Sequence, residues 1–163
     1  MNELAVMTDN ELTKALHDVE LRECALQTSK GQEKAAEMML EVLKMIEAAG
    51  YPAKSDLASM AMAWVMLLRE QIALYSMAVI REAACEFIMS DIREYKQFPS
   101  VGQIADTCNR IGKNPRAEVA RRREEAIAEQ MKAERQAELD ALPKEYKDEC
   151  VRRYGHLWGG CGD

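Results

Sequence analysis

Several things are scarce in this chain of 163 residues. Aromatic residues make up 6% of it, with two Phe and two Trp, and runs of β-branched residues are absent. A sheet-rich fold draws on those residue types, so their scarcity argues against one. No apolar run approaches the roughly 20 residues that a helix needs to cross a bilayer. Met1-Asn2-Glu3-Leu4 lacks the basic and apolar regions of a signal peptide, which points to a cytoplasmic protein without a membrane segment. The five cysteines, Cys24, Cys85, Cys108, Cys150 and Cys161, are odd in number and widely scattered. A secreted disulfide framework is even and dense, so reduced thiols are expected.

Catalytic vocabulary is also thin. Only two histidines occur, His17 and His156, near opposite ends of the chain. There is no Gly-rich phosphate loop, no H-E-x-x-H and no nucleophile elbow, so the chain does not read as an enzyme and no cofactor is implied. Cys150, His156 and Cys161 carry the chemistry of zinc ligands, but spacings of five residues and then four do not match compact zinc knuckles. A fourth ligand would have to come from His17 or Cys108, and no metal is expected. A net charge of −6 opposes a broad basic face for phosphate backbones and disfavours direct nucleic-acid binding.

What is present is helix-forming. Ala, Leu, Met, Glu, Lys and Arg dominate, and eleven residues are Met. The expected fold is all-α, with a compact helical bundle over 1–115 followed by a charged helical or partly disordered arm and flexible tail over 116–163. Thr8 with Glu11 has the spacing of a capping box, opening a helix over 9–27 with Leu12, Leu16, Val19 and Leu26 on its apolar face. Ser29 with Gln32 repeats the pattern before a second stripe, Ala35, Met39, Val42, Leu43 and Ile46. Gly50 and Pro52 end that helix.

A third helix is predicted over 55–71, with Leu57, Met60, Trp64, Leu67 and Leu68 facing the core. Ile80, Ala84, Phe87, Ile88 and Ile92 extend the pattern to Tyr95, either straight through or bent near Tyr75-Ser76. Phe98-Pro99 breaks it, and Ser100 with Gln103 caps a short helix that closes at Gly112. After Pro115 large apolar residues are few. Glu118 with Arg122, and Arg121 with Glu125, lie four apart and pair on a helix surface for about 0.2–0.5 kcal/mol each. Pro143 stops this segment before a terminal piece bearing Tyr146, Tyr154, Leu157 and Trp158.

Three features carry a functional and a plain reading side by side. Trp64 could line a pocket, but among Met60, Leu67 and Leu68 it reads first as core. Met38, Met39, Met60, Met62, Met66 and Met77 read first as adaptable packing, with a forgiving groove or a homodimer face as the functional alternative. Residues 100–123 superficially suggest a helix-turn-helix followed by Arg116, Arg121, Arg122 and Arg123. Pro115 and the interleaved Glu118, Glu124 and Glu125 favour a capped closing helix and a solvated charged face instead.

The order of these features resembles the small phage replicative-helicase loader/inhibitor proteins. The positions that carry the resemblance are Met45-Ile46 with Tyr51-Pro52, Trp64 with Leu67-Leu68, Ala83-Ala84 with Phe87-Ile88, and Phe98-Pro99-Ser100-Val101-Gly102-Gln103-Ile104. The resemblance spans roughly residues 33–112, and the chain departs from the pattern in an extra helix before residue 30 and a longer arm. The resemblance implies a non-catalytic protein of the host-cell cytoplasm. Its folded N-terminal domain would carry a flexible C-terminal segment that contacts a DnaB-type hexameric helicase, holding it until an origin-bound initiator receives it. The matched residues are the scaffold in that comparison. For the contact itself, the aromatic and apolar anchors Tyr154, Leu157 and Trp158 are the expected partner-binding residues, because such anchors dominate binding hot spots. Two alternatives remain at this point: an inhibitor of a host defence or nucleic-acid enzyme acting as an acidic charge mimic, and a DNA-binding module built on residues 100–123.

Overall fold

The structure, a computed structural model, describes residues 7–158, with side chains described as far as Gly155. The described residues form seven α-helices and no strand. The chain divides into two compact units, Met1–Ala117 and Glu118–Asp163.

α1 (Asp9–Ala25) opens on the expected capping box: the Glu11 N–H donates to Thr8 Oγ1 at 3.3 Å and the Thr8 N–H to Glu11 Oε2 at 2.8 Å. Those bonds hold the Glu11 carboxyl below its usual range. α2 (Ser29–Ala48) is capped one residue earlier than its sequence suggests. Thr28, not Ser29, accepts from the Gly31 N–H at 3.0 Å, and Gln32 reaches back to the Leu26 carbonyl at 2.9 Å. The turn is so tight that a Cβ on Gly31 would lie 2.0 Å from the Ala25 carbonyl oxygen, so only glycine fits. The stripe Ala35, Met39, Val42, Leu43 and Ile46 is buried as expected. Gly50, at φ 95°, then turns the chain and Tyr51 drops fully into the core.

Asp56 caps α3 (Leu57–Leu67), accepting from the Ser59 N–H at 2.8 Å. The helix is shorter than predicted, and its buried face differs. Ala61, Trp64, Val65 and Leu68 form the continuous stripe, whereas Leu67 is 66% exposed. Spacings of three, one and three keep the first four on one side, and Leu67 falls about 100° off that side at 3.6 residues per turn. Trp64 meets Phe98 edge-on at 6.0 Å, in the core as favoured.

α4 (Arg69–Ser90) is broken at Ser76, which sits at φ 72°, ψ 166°. A residue in that conformation cannot carry the i to i−4 ladder, so the preceding turn loses partners for its carbonyls. Arg22 of α1 supplies them, donating from Nε to the Ala73 carbonyl at 2.7 Å and from Nη2 to that of Leu74 at 3.3 Å. Beside the break the Tyr75 hydroxyl lies 3.1 Å from Asn109 Oδ1. Below it Ile80, Ala83 and Ala84 are buried, but the helix stops at Ser90 rather than Tyr95, leaving Ile92 97% exposed.

α5 (Val101–Ile111) has the predicted Ser100–Gln103 capping box and buries Ile104 and Cys108. Gly112 closes it at a point where a Cβ would lie 2.5 Å from the Tyr75 ring. Within this unit α2 packs on α3, α4 on α5, and α1 and α2 both on α4.

Asn114 caps α6 (Pro115–Ala141) through the Arg116 and Ala117 N–H groups, at 3.0 and 3.2 Å. Pro115 is the only buried residue of α6. After it the helix is held by side-chain pairs: Glu118 with Arg121 and Arg122, each at 2.8 Å, Arg121 with Glu125, and Gln130 with Glu134. α7 (Lys144–Trp158) starts on the Pro143 carbonyl, which accepts from Tyr146 and Lys147 at 3.0 and 3.1 Å. Among the described residues no helix is long and apolar enough to cross a membrane.

Candidate partner-binding surfaces

The expected anchors lie on α7. Tyr154 is 52% exposed, and Tyr146 and Val151 are exposed on the same helix. Residues 146, 150, 154 and 158 follow one another at four-residue steps, which places them along one side of a helix. Leu157 and Trp158 occupy its last positions, and their side chains lie outside the described residues. Charge is concentrated elsewhere on α7, where Glu149 pairs with Arg153 at 2.5 Å and Arg152 at 3.9 Å.

Two further surfaces belong to the first unit, and only one was foreshadowed in the sequence. A groove of about 690 Å3 runs between α2 and α4, lined by Met38, Val42, Met45, Met77 and Ala78. Lys44 and Glu41 at its edge pair with each other at 2.9 Å, while Arg81 makes no ion pair among the described residues. The Met45 and Cys85 sulfurs lie 3.7 Å apart, linking this groove to a smaller hollow beside Met89. The methionines thus divide by position. Met39 is core, Met38 and Met77 line the groove, and Met62 and Met66 are exposed on α3.

The second surface is the last turn of α4 and the segment that follows it. Met89 is 85%, Ile92 97% and Tyr95 80% exposed. The backbone that presents them is pinned by charge. Asp91 binds Arg93 through both carboxylate oxygens, at 2.7 and 2.9 Å, and the guanidinium holds the Asp91 carboxyl well below the usual range. Arg93 also stacks over the Phe87 ring, and Lys96 over that of Tyr51, donating to the Tyr51 hydroxyl at 3.1 Å. Arg93 and Lys96 thus lie across core-facing rings while remaining exposed themselves, and the apolar Ile92 and Tyr95 between them face water. Helical periodicity assigned Ile92 to the core because it has no means of registering that the helix ends at Ser90.

The charged stretch that follows α5 offers little free cation. Glu118 is drawn down to about 2 by Arg121 and Arg122, and Arg121 is shared with Glu125. Arg116 pairs with Glu23 at 2.7 Å. Among the described residues no three His, Cys, Asp or Glu side chains come together in a way that could hold a metal ion. Of the three zinc candidates only Cys150 is described, on α7, whereas the His156 side chain and Cys161 lie outside the described residues. Burial pushes the Cys108 thiol up to about 11, which keeps it protonated and unreactive.

No protein-family model, curated protein or solved structure matches this chain.

Proposed function

We propose that this is a non-catalytic binding protein that engages a DnaB-type hexameric helicase and controls its loading or activity. In this reading a compact helical bundle serves as scaffold, and a charged helical arm carries the contact residues Tyr154, Leu157 and Trp158. The observation that supports it is the character of α7, where Tyr146, Val151 and Tyr154 stand exposed and none of the described side chains is buried. Large aromatic side chains held in water are sites where association removes much apolar surface at little conformational cost. An arm that gains its packing only on binding can cover a wide hexamer surface and still release it to an origin-bound initiator. The helicase as partner comes from the resemblance of residues 33–112.

The alternatives have less support. Charge mimicry of nucleic acid requires clustered carboxylates, and those of Glu118 and Glu125 are instead tied to arginines. The same pairs occupy cations that a DNA-binding reading of residues 100–123 would spend on phosphates.

The test is co-elution with the hexamer on a sizing column at micromolar concentration. Wild-type chain is expected to shift the hexamer. Removal of residues 118–163, or joint change of Tyr154, Leu157 and Trp158 to Ala, is expected to abolish the shift while thermal melts still report a folded first unit. A well-folded wild type that shifts no hexamer overturns the proposal. A truncated chain that still binds moves the contact onto the first unit.

A further inference from the structure

We infer that the groove between α2 and α4, together with the exposed segment after α4, is a self-complementary surface through which two copies of this chain pair. This inference is independent of the helicase reading. Its starting point is the exposure of Met89, Ile92 and Tyr95, three large side chains within seven residues. Met89 lies on the last turn of α4, and the Asp91–Arg93 and Lys96–Tyr51 contacts hold the loop that carries Ile92 and Tyr95, so little ordering entropy remains to be lost on docking. Pre-organised apolar side chains in water mark a contact surface.

The same unit contains a receptor for them. The α2–α4 groove is lined by Met38, Met45 and Met77, whose unbranched thioethers adapt to an inserted side chain. It continues through the Met45–Cys85 contact to the hollow beside Met89, so the groove and Met89 share α4, and Ile92 and Tyr95 follow directly after its end at Ser90. That continuity allows a twofold arrangement in which each copy both gives and receives. With two α4 helices antiparallel about an axis near Cys85, the loop that follows Ser90 in one copy runs toward the Ala78 end of the other's groove. Met89 stands opposite Arg81, four residues either side. Ala78 is small and groove-lining, which leaves room for Ile92.

Charge follows the same pattern. Arg81 and Glu94 make no ion pair among the described residues, and one belongs to the groove while the other lies between Ile92 and Tyr95 in the loop. Seating the loop of one copy at the groove of the other brings these opposite charges to one junction. Insertion of three such side chains removes roughly 500 Å2 from water. Doubling by symmetry gives roughly 1,000 Å2 before the groove walls are counted, near the lower end of the range of stable interfaces.

Light scattering coupled to sizing chromatography, on the full chain from about 1 to 100 μM, tests the inference. The expected mass is that of a dimer at the upper end, with the monomer appearing on dilution. Changing Ile92 and Tyr95 together to Glu should raise the dimer dissociation constant by about a hundredfold or more, with helix content unchanged and the melting midpoint equal to that of the wild type at concentrations where the wild type is monomeric. Arg81→Glu and Glu94→Arg should each weaken pairing by about tenfold, and the two together should restore it. A wild type that is monomeric at the upper concentration overturns the inference, as does a dimer that survives the Ile92/Tyr95 change. A charge reversal that gives no rescue overturns the antiparallel pairing. A dimer lost only when residues 118–163 are removed would place the contact on the arm and likewise overturn it.

Discussion

Residues up to 117 and residues beyond form helices for different reasons. In α1 to α5 each helix buries a stripe against its neighbours, and Met39, Leu43, Ile46, Leu68, Ile80 and Ile104 are all essentially inaccessible to water. In α6 beyond Pro115, and in α7, no described residue is buried; Ile127, Met131, Leu139 and Tyr154 are each at least half exposed. The first group owes its helicity to tertiary burial. The second owes it to intrinsic propensity, the Asn114 cap, the Pro143 start and short-range ion pairs, each worth a fraction of a kcal/mol. Identical chemistry should therefore have different consequences in the two regions.

The largest contrast is expected between two leucines. Leu43→Ala in the fully buried stripe of α2 should cost about 2–5 kcal/mol, from lost transfer energy plus an incompletely collapsed cavity. Leu139→Ala on α6, half exposed, should change stability by no more than about 0.5 kcal/mol. Urea unfolding followed by circular dichroism reads both. A comparable loss at Leu139 would mean that the arm is packed, and the distinction between the regions would fall.

Glycine offers a contrast of sign. Gly112→Ala would place a Cβ 2.5 Å from the Tyr75 ring and 2.7 Å from the Cys108 carbonyl oxygen, so it should destabilise the first unit by about 1–3 kcal/mol. Among the described residues Gly155→Ala on α7 meets only a methyl of Val151 at 3.6 Å, and should favour helix by up to about 1 kcal/mol. Melting midpoints report the former, and helix content of the isolated 118–163 segment the latter. Like signs would refute the assignment of rigid packing to one region and local control to the other.

Ser76 sharpens the account of the first unit. Its φ of 72° with ψ of 166° is a conformation that glycine adopts freely and serine does not. Ser76→Gly should thus stabilise by up to about 1 kcal/mol, despite glycine's usual penalty in helices. Arg22→Met, which removes the donors to the Ala73 and Leu74 carbonyls, should act in the opposite direction. Destabilisation by Ser76→Gly in a denaturant titration would show that the helix runs unbroken.

The smallest expected effect is electrostatic and belongs to the arm. Glu118 is held at about 2, below its ordinary 4.5, by Arg121 and Arg122. Because the folded value is the lower, the contribution is fully present above about pH 4.5 and is lost as pH falls toward 2. The difference in helix content between wild type and Glu118→Gln should follow that window, and added salt should shrink it at neutral pH. A difference that is independent of pH would mean that the pairs form without supporting the helix.

The sequence alone determined the helical class, the capping boxes at Thr8 and Ser100, the buried stripe of α2 and the poverty of large apolar residues after Pro115. These are local matters, decided within one or two turns by propensity, hydrogen-bonding side chains and a period of 3.6 residues. The order of features also carried the helicase expectation, and the α7 anchors came from their chemistry rather than from any contact seen in the chain. The cap of α2 at Thr28 rather than Ser29 is local as well, fixed by how closely Gly31 approaches Ala25, but the capping spacing does not register it. Only the tertiary structure decided that α4 breaks at Ser76, since the stray carbonyls are satisfied by Arg22, some fifty residues upstream. It placed Leu67 and Ile92 in water for the same reason. A periodic pattern identifies which residues could share a face, but which face is buried depends on where neighbouring helices lie and where each helix ends, and those are set by contacts between residues far apart in the chain.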